Sequence, residues 1–450
     1  MDTDRRDFQT KRRLILETEV EQPWDVIVIG GGPAGYFAAI RCAEIAQEAG
    51  RPVRVLIVER ARRPLGKVII SGGERCNVTH ACFEPAKLVS YYPRGAAALR
   101  GPFSRFQPRD TVDWFAKRGV VLKTEADGRM FPITNHSKTI VDCLEEAARQ
   151  AGVVVWTQTG LLDCQRIPEA ADQSPRFRIQ LRRDVLDCEQ VHSARSVLFA
   201  SGSESFCHSL IARLGHTIEP PVPSLFTFKI TDTRLADLAG LSVPNASLRL
   251  LADSASEKVS IPPQQGPLLI THWGLSGPAT LKLSAWGARW LFECNYQAGL
   301  LVNWLHPLST EKVLEELQSY RILPENNRKK PGAHALFAQI PIRLWKRLTE
   351  AAGISETQNW ADVSKIAQRR LAEELTAGCY AIEGKGIFKD EFVTCGGVNL
   401  DEVNFKTMQS RLVPGLFFAG EVLDIDGLTG GFNFQNAWTT GWLAGEALGA

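Results

Sequence analysis

Two cysteine arrangements are missing from this chain. Its ten cysteines never form a Cys-x-x-Cys pair, and none stands at a zinc-type spacing from a histidine. A structural zinc site or a dithiol redox motif is therefore not expected, and we predict no metal centre. Cysteines scattered through a long chain are typical of reduced, mostly buried thiols in a reducing compartment.

Long apolar runs and a surplus of one charge are also missing. The longest apolar run, from Val26 to Ile40, is interrupted by four glycines and Pro33 and is too short to cross a bilayer. The formal net charge is only +2, which gives no sign of a polyanionic partner. We therefore expect no nucleic-acid partner and no membrane association. The oligomeric state is left open.

The first 22 residues lack the features of a targeting segment. They contain no apolar signal core, and they carry six acidic residues but no serine, unlike an organellar transit peptide. We predict that residues 1–22 form a solvated leader and that the protein is cytoplasmic.

The remaining chain is long enough for more than one core, with 450 residues of which 44% are apolar. Buried strands alternate with helices up to about residue 200, which is typical of an α/β domain with a parallel sheet. A proline-rich stretch at 219–224 predicts a hinge. We therefore expect an α/β domain made of residues 23–224 and 376–450, split by an inserted, largely β domain with helices at 225–375.

A glycine motif follows the first buried strand. Gly30-x-Gly32-x-x-Gly35 lies between the strand at 25–29 and a helix predicted from Tyr36. This context is typical of a Rossmann dinucleotide site, in which backbone N–H groups at the helix start face the pyrophosphate. Glu59 ends the second strand, where an acid accepts hydrogen bonds from the adenosine ribose and disfavours NADP. The motif does not separate FAD from NAD.

The C-terminal segment indicates FAD. A short apolar strand ends at Gly420-Glu421, and a glycine-rich turn then leads into a helix predicted from Asn436. Flavoproteins with two dinucleotide-binding folds use such an acid to hold the ribityl chain, and the next helix points its N-terminus at the flavin. A helix N-terminus stabilises the negative charge of reduced flavin by about 0.3–2 kcal/mol.

Four further blocks carry a family resemblance. They are Ser71–Thr79 (SGGERCNVT), Gly128–Pro132 (GRMFP), Thr271–Ala279 (THWGLSGPA), and Gly396–Val398 with Lys406–Met408. With the C-terminal segment, they resemble the bacterial and plastid-lineage flavoprotein family that contains BaiN, YhiN and the aminoacetone-oxidase-like proteins. The chain departs from the family pattern at Glu74, where glycine is usual, and at 200–203, which usually reads Ala-Thr-Gly-Gly.

The resemblance implies a Rossmann-type FAD-binding domain split by an inserted domain, and it implies a set of cofactor contacts. These are Gly30, Gly32, Pro33, Ala34, Gly35, Glu59, Arg60, Lys67, Ser71, Gly72, Arg75, Cys76, Asn77, Gly202, Gly420, Glu421, Gly430, Gly431, Phe432, Asn433 and Gln435.

Three polar residues are candidates for the chemistry. By analogy, Arg75 holds an anionic substrate or the flavin O2 side, and Asn77 donates a hydrogen bond to the ring. His272 is a candidate acid/base group near the flavin, although its block is explained almost as well by fold stability. Cys76 has no partner cysteine nearby, so a disulfide-reductase role is not expected.

The leading hypothesis is an FAD-dependent oxidoreductase that transfers a hydride between flavin and a small organic substrate. The family suggests either reduction of a C=C bond beside a ketone or oxidation of an amine, and the sequence does not choose. No second dinucleotide motif is visible, so NAD(P)H is a candidate transient donor, with another donor or oxygen as alternatives. The alternative hypothesis is a flavin-binding regulatory or RNA-associated protein with little small-molecule turnover.

Overall fold

A computed structural model describes residues 22–167, 176–251, 261–386 and 393–450. Residues 1–21 of the predicted leader lie outside the described residues. The first segment of the chain alternates strands and helices. Its elements are β1 (Trp24–Ile29), α1 (Pro33–Glu48), β2 (Val55–Val58), α2 (Gly66–Glu74), β3 (Thr79–His80), α3 (Pro85–Leu88), α4 (Ala96–Arg105), α5 (Pro108–Ala116), β4 (Leu122–Thr124), β5 (Arg129–Pro132), α6 (Lys138–Gln150), β6 (Val154–Trp156), β7 (Thr159–Arg166), β8 (Phe177–Arg183), β9 (Cys188–Phe199) and α7 (Ser205–Arg213).

The central part of the chain carries the second sheet and its helices. Its elements are β10 (Ile218–Ser224), β11 (Phe228–Lys229), β12 (Ser242–Leu251), β13 (Gln264–Thr271), β14 (Gly274–Ser276), α8 (Pro278–Trp286), α9 (Ala288–Glu293), β15 (Ala298–Asn303), α10 (Thr310–Ile322), α11 (Ile342–Ala351), α12 (Lys365–Ala377), β16 (Gly378–Ile382) and β17 (Gly384–Lys385). The C-terminal part follows with β18 (Val393–Val398), β19 (Val403–Asn404), β20 (Gln409–Ser410), β21 (Leu416–Phe418) and α13 (Phe432–Gly449).

The first sheet is built from both ends of the chain. Its strand order is β19-β20-β21-β9-β1-β2-β6, with β7 and β8 as an antiparallel extension of β9. The five strands from β21 to β6 run parallel, with Ile27 opposite Leu56 and Val197. These strands read as continuous apolar runs because helices cover both faces of such a sheet. The predicted Rossmann-type α/β fold is confirmed.

The inserted segment has its own sheet and its own core. The strand order is β16-β15-β12-β13-β14-β11-β17, and the two end strands are separated in the chain only by Glu383, so the sheet curls round on itself. Buried residues between Phe226 and Ile382 form the second core. Both β16 and β17 belong to this sheet although they follow residue 375, the predicted end of the insert.

The proline-rich stretch predicted as a hinge forms a strand, β10. β10 pairs antiparallel with β18, the strand by which the chain returns from the insert. Its register shifts between Glu219 and Val222, so Pro220 and Pro221 fall in the irregularity. Prolines cannot donate to a ladder and are tolerated at such bulges. The connection is therefore a two-stranded ribbon.

Two other local predictions need correction. Only Phe228–Lys229 of the strand predicted at 225–231 is a strand, because Leu225 takes a left-handed conformation with a φ of 61°. The glycine-rich loop predicted at 71–79 begins inside α2, whose last residues depart from helical geometry at Ser71, Gly72 and Gly73. Positive φ at these two glycines (60° and 67°) turns the chain out of the helix.

Close packing of α1 against α13 brings the two ends of the chain together. A Cβ on Gly441, Gly445 or Gly449 of α13 would lie 2.7, 2.6 and 2.5 Å from carbonyl oxygens of α1. Glycine at every fourth position thus lets the two backbones touch.

Among the described residues, no helix is long and apolar enough to cross a membrane.

Candidate functional site

The N-terminal glycine turn is shaped by three glycines with different surroundings. A Cβ on Gly30 would lie 2.5 Å from the Ala200 carbonyl oxygen, and one on Gly35 would overlap the Gly30 carbonyl oxygen. These two glycines are therefore required by packing. Gly32, the N-cap of α1, has no atom within 4 Å of a Cβ position. Open space at a helix N-terminus is what a pyrophosphate requires.

Glu59 is fixed beside this turn. Its carboxylate accepts hydrogen bonds from the N–H groups of Gly31 (2.8 Å) and Ala61 (2.7 Å). The acid predicted to bind the ribose therefore lies within contact of the glycine motif. The neighbouring Arg60 side chain is exposed and pairs with Glu204 at 3.1 Å.

Three residues from distant parts of the chain, Lys67, Gly202 and Glu421, meet at a second point of the site. Lys67 at the start of α2 forms an ion pair with Glu421. Glu421 also accepts a hydrogen bond from the Thr394 N–H (3.2 Å). A Cβ on Gly202 would lie 3.6 Å from the Glu421 carboxylate and 3.8 Å from the Lys67 ammonium. The structure thus brings together these three predicted contact residues, which are up to 354 positions apart in the chain.

The turn from Ser71 to Asn77 reaches the start of α13. With its amide oriented to satisfy both partners, Asn77 donates to the Thr79 carbonyl (3.1 Å) and accepts from the Gly431 N–H (3.0 Å). A Cβ on Gly431 would lie 2.6 Å from the Thr79 backbone. Cys76 is fully buried in this turn, and burial raises the pKa of its thiol to about 12. Cys76 is therefore a neutral thiol at pH 7.

Arg75 has protein partners of its own. It forms an ion pair with Glu125 at 2.7 Å, and its guanidinium lies 4.0 Å from the centre of the Phe131 ring. Two of the sequence blocks that carry the family resemblance are therefore in contact, since Arg75 of the 71–79 block packs on Phe131 of the 128–132 block. The part of Arg75 in substrate binding stays a prediction.

The predicted contacts at the start of α13 divide by role. The Asn433 side chain bonds both backbone groups of Gly427, at 2.8 and 2.9 Å. Gln435 is fully buried and accepts from the hydroxyls of Thr79 (2.6 Å) and Thr111 (3.0 Å). Both side chains therefore hold the loop in place, and the cofactor contacts from Gly430 to Gln435 stay predictions.

Aromatic packing fixes the other side of the same loop. The rings of Phe432 and Tyr91 stack at 4.3 Å, and His80 stacks on Phe432 at 4.7 Å. The Tyr91 carbonyl also accepts the Leu428 N–H at 2.9 Å. Sequence reasoning missed Tyr91 and Thr79, because neither stands in a motif whose spacing points to α13.

Two further predicted residues, Gly420 and His272, lie in different parts of the structure. Gly420 packs on α1, since its Cβ would lie 2.9 Å from the Ala34 methyl group, next to Pro33 in the first turn. His272 is exposed in the turn between β13 and β14, and its ring lies 6.2 Å from that of Trp273. The described contacts of His272 thus stay within the insert, and its acid/base role remains a prediction.

The chemistry of these residues fits FAD. An open helix N-terminus at Gly32 can take the pyrophosphate, and the acid at Glu59 stands where a ribose is held. Lys67 and Glu421 pair beside Gly202, and Gly420, the neighbour of Glu421, packs on Ala34 behind the glycine turn. The N-terminus of α13 is a favourable environment for the negative charge of a reduced flavin. The fold and these residues together define an FAD-dependent oxidoreductase.

Comparison with known proteins names the family. Residues 24–447 match the model of the HI0933-like protein Rossmann domain, and the chain belongs to that family. It is 29% identical over 432 residues to a ribosomal RNA dihydrouridine synthase of Escherichia coli, covering 94% of this chain and 98% of the relative. It is 26% identical over 427 residues to a 3-dehydro-bile acid delta(4,6)-reductase of Clostridium scindens, covering 93% and 98%.

A solved structure supports the fold. The 3-ketosteroid-delta4-(5alpha)-dehydrogenase of Rhodococcus jostii RHA1 aligns with a TM-score of 0.51 over 97% of this chain and 99% of that one, at 15% identity. At this identity the likeness shows the architecture alone. The expected BaiN/YhiN-type family is confirmed by the family match and by the full-length relatives.

Proposed function

We propose that this protein reduces a C=C bond conjugated to a carbonyl group, with FAD as its hydride carrier. One observation carries the proposal: both full-length relatives described above are named for forming a saturated bond in such a system. Dihydrouridine is uridine reduced at the C5–C6 bond, which is conjugated to the C4 carbonyl. These names favour reduction over the amine oxidation that the sequence also allowed.

When bound, FAD supplies the hydride. The chain's own residues bind and orient it. Gly32 leaves room for the phosphates, the Lys67–Glu421 pair holds the middle of the cofactor, and the N-terminus of α13 stabilises negative charge at its pyrimidine end. A protein acid would then deliver the proton that completes the reduction, and His272 is the candidate from the sequence.

Two classes of substrate fit this chemistry. One is a small enone, as in the Clostridium scindens relative, and the other is a uracil base in RNA, as in the Escherichia coli relative. We favour the small molecule because the net charge of +2 supplies little attraction for a polyanion. The expectation of no nucleic-acid partner thus remains a prediction. A flavin-binding protein without turnover is the second candidate, which no observation favours.

The experiment is anaerobic stopped-flow absorbance. The FAD-loaded oxidised protein is mixed with NADH, NADPH or a primary amine, and protein reduced by a nicotinamide is then mixed with a 3-keto steroid enone or a uridine-containing RNA. Flavin bleaching followed by reoxidation by the enone supports the proposal. Reoxidation by the RNA alone would move the substrate to the other class. No reoxidation by either conjugated acceptor would refute the proposed reaction.

A further inference from the structure

A buried cluster of charges joins the inserted segment to the cofactor loop, which we define as residues 423–431. Asp424 and Asp426 of this loop are buried, and each pairs with an arginine from another part of the chain. Arg94 binds Asp426 through two nitrogens, with side-chain exposures of 13% and 0%. Arg289 of α9 binds both oxygens of Asp424, at 2.8 and 2.7 Å.

The same cluster reaches the inserted segment at two further points. A third nitrogen of Arg94 donates to the Ala285 carbonyl in α8 at 2.7 Å. The Ser224 hydroxyl, at the end of β10, donates to the Asp426 carboxylate at 2.8 Å. The cofactor loop, the helices of the insert and the ribbon that leads into the insert therefore meet at one set of ionic contacts.

The cluster lies directly beside the residues that approach the cofactor. Asp426 precedes Gly427, whose backbone is held by Asn433 in the first turn of α13. The stretch from Asp426 to Gly431 is thus fixed at one end by the ion pair and at the other by the helix. A shift of the insert would therefore displace the two ion pairs. Because Asp426 is bonded to Gly427, this displacement would also move the backbone from Gly427 to Gly431.

The buried ion pairs are not explained by a gain in folding stability alone. Removing two charges from water costs nearly as much as their attraction returns, so a buried ion pair is a weak stabiliser compared with apolar packing. What such a pair supplies is a fixed geometry, above all when arginine binds a carboxylate through two nitrogens.

We propose that Arg94 and Arg289 are positioning residues, which fix the N-terminus of α13 against the flavin according to where the inserted segment sits. This inference rests on the proposed function, because it assumes FAD at the start of α13. It goes beyond that function by coupling the insert to the redox properties of the cofactor.

The test compares Arg289→Ala with a matched control, using FAD affinity and the flavin midpoint potential as readouts. Arg289 is partly exposed (40%), so its variant is expected to fold, whereas Arg94, which is more buried, is changed only to lysine. Arg118→Ala is the control, because Arg118 pairs with Glu44 at a similar depth and stacks on Trp114. That pair holds α5 to α1 and lies outside the cofactor loop.

Arg289→Ala is expected to weaken FAD binding about tenfold, the loss of one charge-assisted hydrogen-bonded pair. It should also lower the midpoint potential, because a displaced helix N-terminus stabilises reduced flavin less. Arg289→Lys and Arg94→Lys should fall between wild type and Arg289→Ala. Arg118→Ala should lower the melting temperature without changing either readout.

Two outcomes would overturn the inference, and they are distinguishable. If wild type binds FAD and Arg289→Ala matches it in affinity and potential, the ion pairs are only structural. If wild type binds no FAD, the proposed function fails, and the positioning role fails with it.

Discussion

Substituting Gly32 and Gly35 by valine should have different effects, the first on cofactor binding and the second on folding. Gly32 is an N-cap in extended conformation (φ −88°), and no atom lies within 4 Å of its Cβ position. A side chain there meets no protein atom, so Gly32→Val should change the free energy of unfolding of the cofactor-free protein by less than about 1 kcal/mol. Gly35→Val should instead disrupt the fold, because its Cβ overlaps the Gly30 carbonyl.

The same valine at position 32 points into the space assigned to the pyrophosphate. Forcing a side chain into an occupied site costs about 1–3 kcal/mol, which corresponds to about a 5- to 150-fold loss of FAD affinity. The assay is FAD titration by flavin fluorescence, paired with denaturant unfolding of both variants without cofactor. If Gly32→Val binds FAD as wild type does, the pyrophosphate does not lie at this helix, and the reasoning is refuted.

Three further predictions concern the thiol, the histidines and the helix contact. Cys76→Ser should leave flavin reduction and reoxidation rates within about twofold of wild type, because the thiol is neutral and buried; a complete loss of turnover with FAD still bound would contradict this. Burial lowers the pKa of His80 and His216 below 6.5, so the unfolded chain takes up protons that the folded chain does not. The denaturant concentration at the unfolding midpoint should therefore decrease as the pH is lowered from 7.5 to 5.5, and it should decrease less in His216→Gln. A midpoint that does not change with pH would contradict this direction. Gly445→Leu should cost about 1–3 kcal/mol or more and weaken FAD binding, because its side chain meets the Ala38 carbonyl; unchanged thermal unfolding would refute the close helix contact.

The sequence predicted the parts of the site whose chemistry depends on local backbone. Gly30, Gly32 and Gly35 lie between a buried strand and a helix, and this local context gave their roles before any long-range contact was known. The acid at Glu59 followed for the same reason. The structure places it against the Gly31 N–H, and its ribose contact stays a prediction.

Long-range relations were beyond the sequence. Nothing local says that Gly441 and Gly445 face the backbone of α1, or that Thr79 bonds Gln435, since these contacts depend on how distant segments pack. The prolines of 219–224 indicated a break, yet the pairing with β18 absorbs two of them in a bulge. Tertiary pairing overrode local preference there.

Side-chain roles were harder still to predict than positions. Arg75 stands in the expected turn, but its ion pair with Glu125 could not be read from spacing. The Gln435 side chain is buried and accepts hydrogen bonds from two threonine hydroxyls, which its place in the sequence did not indicate. Residues beside a cofactor site often hold the loop that makes the contact, and the two roles differ only in three-dimensional arrangement.

The central claim is that both ends of this chain bind one FAD, and its most direct measurement is the stoichiometry of FAD binding. Cofactor-free protein is titrated with FAD and followed by the visible absorbance of the bound flavin. The account predicts saturation at one FAD per chain for wild type, and weak binding for both Gly32→Val and a Glu421→Ala variant. Absence of binding by folded wild-type protein, or full binding after either substitution, would contradict it.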